Sequence, residues 1–208
     1  MVKNIDVLFE KAGILIEALP YIQRLYGKTV VINPIVVHGG GPDINAQLKL
    51  MQIEPKFHNG LRVTDEDTMG AVQMVLTGKI NVDIVAKLNA LGGKAIGLNG
   101  KDAKLIEVEK LPPQNGVDLG FVGRITKINT KLLNLLAGDE YIPVIAPIGC
   151  GPEGESFNIN ADTVAGAVAA ELKAEKLIFL TDIDGIRSDP KDPDSLIYHI
   201  GVAEVQKL

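Results

Sequence analysis

The sequence predicts an α/β protein, a three-layer α-β-α sandwich with a mainly parallel central sheet, carrying in addition a β-hairpin and an N-terminal helix. Three observations point there. Short β-branched runs alternate with stretches of helical period along the chain. The core must be aliphatic, since there is no Trp and only 5 Phe and 4 Tyr, while Val, Ile, Ala and Gly are abundant; that composition suits parallel strands covered by helices. Finally, 208 residues bury roughly 70% of the surface of the unfolded chain, enough for a core without disulfides or metals.

Residues 1–27 read as a helical extension: Ile5, Leu8, Phe9 and Ala12 recur at three- and four-residue spacing, and the pattern restarts after Gly13 through Ile16 and Leu19 to a break at Pro20. Such a stripe packs on its own fold or on a second subunit. The strand candidates are Thr29–Ile32, Ile35–His38, Lys94–Leu98, Ile142–Pro147 and Lys176–Thr181. Helices are expected over Asp43–Met51, after the glycine run; over Thr64–Leu76, where Thr64 can cap and the next three acidic residues favour a helix start; over Asn81–Leu91, stopped by Gly92-Gly93; and over Thr163–Leu172. Asp102–Glu109 and Phe121–Ile128, separated by the turn-rich Leu111–Gly116, read as an antiparallel hairpin laid on the main sheet. A first division runs 1–27, 28–160 and 161–208.

Several functional classes lose their support. The net charge is −5, so there is no overall basic field for nucleic acid. The single Cys150 forms no intrachain disulfide and suits a reducing compartment. Apolar runs such as Ile142–Ile148, with two prolines, fall far short of the roughly 20 residues a membrane span needs, and the N-terminus does not have the pattern of a signal peptide. His38, His58 and His199 lie apart with no partner at ligand spacing, so no metal is assigned.

The strongest single signal is Ile35-Val36-Val37-His38-Gly39-Gly40-Gly41-Pro42, a buried-type strand running through three glycines into a helix. Bare glycine amides and a helix N-terminus attract an anion; a tight turn without a ligand is the plainer alternative. An esterase oxyanion hole also uses such a run, but it needs Gly-x-Ser-x-Gly, and Gly154-Glu155-Ser156-Phe157-Asn158 lacks the last glycine. Gly149–Gly154 matches Gly-x-Gly-x-x-Gly, yet Pro152 and an extended Ser156–Ile159 follow where a helix should open, so it reads as a flexible loop. Gly78-Lys79 and Gly100-Lys101 have neither the earlier glycine nor the following Ser or Thr of a Walker A loop. In Asn158-Ile159-Asn160-Ala161-Asp162, Asn160 can cap the next helix with Asp162 in its first turn; alternatively Asn158 donates to a substrate and Asp162 orients cationic groups. Thr181-Asp182-Ile183-Asp184-Gly185 ends a strand, where open sheets place ligands, and reads as a turn rather than a calcium loop because Ile186 and Arg187 stand where oxygen donors are needed.

Taken in order, His38–Pro42, Phe57–Thr64, Tyr141–Ile145, Asn158–Asp162 and Leu180–Asp182 closely resemble the N-acetylglutamate kinase family, of the amino-acid kinase fold, over nearly the whole chain. The leader Ala18–Tyr26 further resembles the arginine-inhibited branch, whose extra helix joins dimers into a hexamer. The resemblance implies transfer of the γ-phosphoryl group of ATP, with Mg2+, onto the side-chain carboxylate of N-acetyl-L-glutamate for arginine synthesis, in the cytoplasm or a plastid stroma. It implies substrate contacts from Gly40, Gly41, Arg62 and Asn158, a catalytic Asp162 that keeps lysines in position, and nucleotide contacts from Thr181 and Asp182. A homo-oligomer, an arginine effector and, in some members, a PII-type signalling protein belong to the same implication. The chemistry is coherent, because a carboxylate with a pKa of about 4.3 is already ionised at pH 7 and needs no general base.

Two departures stand beside the resemblance. The family places a lysine-bearing glycine loop after its first strand, whereas here Lys28–Ile32 runs into Asn33-Pro34 and the next strand. Parallel neighbours need a crossover of a dozen or more residues, so a segment between Ile32 and Asn33 is expected to be absent from this sequence. The family's second lysine is expected beyond Leu208. Neither catalytic lysine is therefore assigned, and two alternatives stay open: a binding module that has lost catalysis, and a sister kinase acting on another carboxylate, such as an aminoadipate derivative.

Overall fold

The computed structural model describes residues 34–181, 185–189, 191–192 and 194–205. The leader 1–27, the strand expected at Thr29–Ile32, the Ile32–Asn33 junction and Asp182 lie outside the described residues.

A parallel three-stranded sheet lies at the centre, in the order β1 (Val36–Val37), β7 (Ile142–Ala146), β4 (Ala95–Asn99). Val36 pairs with Val144 on one side of β7, and Gly97 pairs with Val144 on the other. A second sheet runs β6 (Gly123–Ile128), β5 (Ile106–Lys110), β8 (Ile148–Cys150), β9 (Ser156–Asn158), with antiparallel outer pairs and a parallel β5–β8 contact. The expected hairpin is present as β5–β6. Its first strand starts at Ile106, not Asp102: Asp102–Lys104 form a 3-10 turn, because the Asp102 carboxylate accepts from the Asn99 amide at 2.7 Å and closes the chain on itself.

Helices cover both faces of the parallel sheet. On one side lie α1 (Gly41–Leu50) and a long rod comprising α2 (Glu66–Gln73), a π turn (Met74–Asn81) and α3 (Val82–Ala90). On the other lie α4 (Thr130–Gly138), for which the sequence reading names no element, and α5 (Ala161–Glu171). Two apolar clusters follow from this layering. One joins Leu98, Ile145, Leu133, Val164 and Val168, and the other joins Leu48, Val72, Leu76 and Ala146. A short α6 (Val202–Val205) comes last among the described residues, and none of their helices is long and apolar enough to cross a membrane.

Four expectations are corrected. The helices expected over Thr64–Leu76 and Asn81–Leu91 are one rod: Gly78 costs helix stability but does not break it, since i→i+5 bonding carries the chain through. Its cap is Asp65, whose carboxylate accepts from the Thr68 amide at 2.9 Å and is held below the usual carboxylate range chiefly by hydrogen bonds from Thr68; Thr64 is fully buried and donates instead to the Arg62 carbonyl at 2.9 Å. The run Gly149–Gly154 is no flexible loop, because Gly149 and Cys150 sit in the buried strand β8 and Gly151–Gly154 make its tight turn into β9. Lys176–Thr181 forms no strand; β-branched composition supplies propensity, but a strand needs a paired edge, and no described strand pairs with it.

Candidate functional site

At the carboxyl end of β1 the chain turns through Gly39–Gly41 into α1. Gly40 caps this helix without any side-chain hydrogen bond, and Pro42 occupies its first turn. The amides of Gly39, Gly40 and Gly41 donate to no protein group among the described residues, so an uncompensated set of N–H groups and the positive end of a ten-residue helix meet at one place.

Facing it is a hairpin of β2 (Phe57–His58) and β3 (Leu61–Arg62). Asn59 and Gly60 form its turn with φ of 48° and 78°, the two left-handed positions that Asn-Gly supplies in tight hairpins. Register puts Phe57 opposite Arg62, and the guanidinium carbon lies 4.6 Å from the centre of the Phe57 ring. Arg62 is 8% exposed, pairs with no carboxylate among the described residues, and leaves Nη1 buried with no hydrogen-bond partner. Burial pushes its pKa below the ordinary arginine value, yet a guanidinium keeps its proton in proteins. The site therefore holds a desolvated positive charge with an open donor.

The third wall is the junction of β9 and α5. Asn158 is half-buried, and its amide donates to Thr64 Oγ1 at 3.2 Å, tying the wall to the Arg62 strand. Asn160 caps α5 by accepting from the Thr163 amide at 3.0 Å, so a second helix N-terminus opens beside the first. The cleft between these walls measures about 210 Å³ and is lined by Gly39–Gly41, Phe57, Gly60–Arg62, Val122 and Asn158–Ala161, among others. That is below the roughly 300–1,000 Å³ of sites for drug-sized ligands. Arg62 is the one charged side chain lining it among the described residues.

The structure thus brings Gly40, Gly41, Arg62 and Asn158 together. Asp162 stands apart: it is exposed in the first turn of α5, one residue beyond the cleft-lining Ala161, and pairs with no lysine among the described residues. Thr181 is exposed and in no regular element. Phe57 and Val122 line the cleft without having been singled out as site residues; the Asn59-Gly60 pair was the signal for the hairpin that presents Phe57.

Behind the loop, His38 is 8% exposed, with Nδ1 3.0 Å from the Gly39 carbonyl and Nε2 3.1 Å from the Asn81 amide nitrogen. Burial lowers its pKa from 6.5, the Gly39 carbonyl acts weakly the other way, and no charged side chain contributes. The folded state therefore binds this proton less tightly than the unfolded chain does. The stability involved is complete above about pH 6.5 and is lost as the pH falls through the depressed folded value. Denaturant titrations from pH 7 down to 5 should show unfolding free energy falling more in the wild type than in His38→Gln; parallel curves would refute a neutral buried imidazole.

Converging helix ends and a guanidinium without an ion-pair partner among the described residues meet at the carboxyl end of a parallel strand, the kind of α/β cleft that suits a small anion. Residues 9–208 match the model of the amino acid kinase family. The chain is 51% identical to the acetylglutamate kinase of Caldicellulosiruptor bescii, covering 100% of this chain and 81% of that protein, and 45% identical to the acetylglutamate kinase of Methanocaldococcus jannaschii, covering 97% and 79%. Among solved structures it is similar to N-acetylglutamate synthase from Neisseria gonorrhoeae, complexed with coenzyme A and N-acetyl-glutamate, with a TM-score of 0.72 at 27% identity over 85% of this chain and 40% of that one. The chain belongs to the amino acid kinase family. The Caldicellulosiruptor alignment runs over 239 positions where this chain has 208 residues, so that relative carries residues inside the matched span without counterparts here.

Proposed function

We infer that the protein is an acetylglutamate kinase: the cleft binds N-acetyl-L-glutamate, and the γ-phosphoryl group of ATP passes to its side-chain carboxylate in an early step of arginine biosynthesis. The observation that carries this reading is Arg62, a buried guanidinium with an open Nη1 in a cleft of about 210 Å³. A carboxylate supplies the missing partner and matches the guanidinium fork. The similarity to acetylglutamate kinases over the full chain supports the same substrate.

In this mechanism the second carboxylate is the nucleophile, already ionised, and the barrier is the approach of two anions. Arg62 holds the far carboxylate, Asn158 the substrate's polar groups, and the amides of Gly40 and Gly41 neutralise oxygen charge near the reacting end. ATP enters as its Mg2+ complex, a substrate, near Thr181 and Asp182. Asp162 is assigned to orient lysines. The lobe of residues 28–160 holds the acetylated amino acid, and the nucleotide lobe begins at 161.

No lysine lines the cleft among the described residues. We place the positions missing from the alignment between Ile32 and Asn33, where the family's first lysine loop belongs. Intact mass together with ATP turnover, coupled to N-acetyl-L-glutamate and to its aminoadipate homologue, tests this. A mass above 22.2 kDa with turnover on acetylglutamate supports both statements. A mass of 22.2 kDa with tight binding and no turnover favours a binding module, and neither binding nor turnover overturns the reading. We propose further that residues 1–27 join dimers into a hexamer that arginine inhibits, in the cytoplasm or a plastid stroma; removing them should leave dimers with weaker inhibition. The resemblance of Ala18–Tyr26 supports this; a PII-type partner is known for some family members and has no residue of this chain behind it.

A further inference from the structure

We propose that the π turn Met74–Asn81 aims the glycine loop, with Asn81 and His38 as positioning residues that orient the Gly40 amide toward the cleft. The proposal rests on the functional reading above and begins with helix geometry. On an α-helix Asn81 would point about 140° away from Leu76. The wider i→i+5 turn rotates it toward the face of Leu76. Leu76, Ile80 and Asn81 then share the face that meets the loop: Leu76 and Ile80 press on Gly40, and Asn81, 5% exposed, reaches His38.

The hydrogen bonds leave one consistent arrangement. The Asn81 amide nitrogen has two protons, and one goes to the Val144 carbonyl at 2.9 Å in the central strand β7. The other points to His38 Nε2 at 3.1 Å, which must therefore be an acceptor. The proton of the neutral ring then sits on Nδ1 and is donated to the Gly39 carbonyl at 3.0 Å. A peptide is planar and trans, so fixing the Gly39 carbonyl fixes the Gly40 N–H on the opposite side. That N–H is among those without an acceptor among the described residues, and Gly40 lines the cleft. Asn81 itself is seated by Gly97, where any Cβ would meet Asn81 Oδ1. A surface ion pair from Lys79 to Asp43 at 2.6 Å joins the π turn to α1, just past the loop, but it is exposed and adds little.

The test compares the wild type with Asn81→Ala and with Gly97→Ala, which dislodges the Asn81 side chain without removing it and decides the matter if Asn81→Ala does not fold. Ile128→Val, in the core away from the cleft, controls for lost stability. Imidazole nitrogen shifts should show His38 protonated at Nδ1 in the wild type and released toward the Nε2 form in the variants, with the Gly40 amide resonance displaced. Calorimetry should show N-acetyl-L-glutamate binding weakened roughly tenfold in the variants and unchanged in Ile128→Val, and KM for ATP should hold. An Nε2-protonated or charged His38 in the wild type, or variants that bind acetylglutamate as the wild type does, overturns the proposal. If the wild type binds no acetylglutamate while the resonances move as stated, the clasp stands and the functional reading falls.

Discussion

Replacing Arg62 with methionine should weaken N-acetyl-L-glutamate binding by roughly thirtyfold to several thousandfold, the equivalent of about 2–5 kcal/mol for truncating one partner of a buried charged pair. The fold should be as stable as before, or more so. Both halves follow from one fact: Arg62 is buried beside Phe57 with Nη1 unpaired. Without ligand, that charge is desolvated for no compensating ion pair among the described residues, and an apolar side chain of similar volume removes the penalty, a change worth about 1–4 kcal/mol where buried ion pairs have been replaced. Methionine also keeps a favourable contact with the ring. Arg62→Lys should fall between, keeping the charge but losing the planar fork and its stacking on Phe57. Calorimetry and thermal denaturation on the same preparations measure the two effects. Affinity lost in proportion to melting temperature would mean that Arg62 is a structural residue and not a ligand group.

The contrast between what the residues announced and what they hid follows the range of the interactions. The strand into Gly39–Gly41 and the helix after it were legible, because strand period, glycine run and helix start are local and adjacent. Asn160 as a helix cap was legible for the same reason, three residues from its partner Thr163. The continuity of Glu66–Ala90 was not, since a π turn has no compositional mark and Gly78 looks like a stop. Nor was the fate of Lys176–Thr181, whose apolar run reads as a strand although the pairing that would make it one is non-local. Arg62 was identified through family resemblance; its burial against Phe57 depends on hairpin register, which the Asn59-Gly60 pair encoded without being used. The His38–Asn81 contact spans 43 residues and joins a loop to the inside of a helix, and no periodicity reports such a pair. Asp162 shows the opposite limit: its proposed task is to hold lysines, and none pairs with it among the described residues.

Adjacent glycines of the loop should respond to the same substitution in opposite ways. A Cβ at Gly41 meets nothing within 4 Å, and the position opens α1, where alanine is a better helix former than glycine. Gly41→Ala should therefore keep or slightly raise stability, while its methyl group projects into the open space beside the cleft and weakens acetylglutamate binding roughly tenfold or more. At Gly40 φ lies outside the left-handed region, but a Cβ would strike Ile80 Cδ1 and lie 2.9 Å from Leu76 Cδ2. Leu76 is 1% exposed and has nowhere to go, so Gly40→Ala should cost about 1–3 kcal/mol as overpacking and displace the amide as well. Because the closer of the two obstructions is the tip of an isoleucine, Ile80→Val in the same chain should recover part of the stability, as expected for residues in contact. Binding should stay weak in the double variant, since the alanine methyl group remains at the cleft wall. If Gly41→Ala bound acetylglutamate as tightly as the wild type, the space in front of that residue would not be the substrate's, and the glycine loop would lose its place in the mechanism.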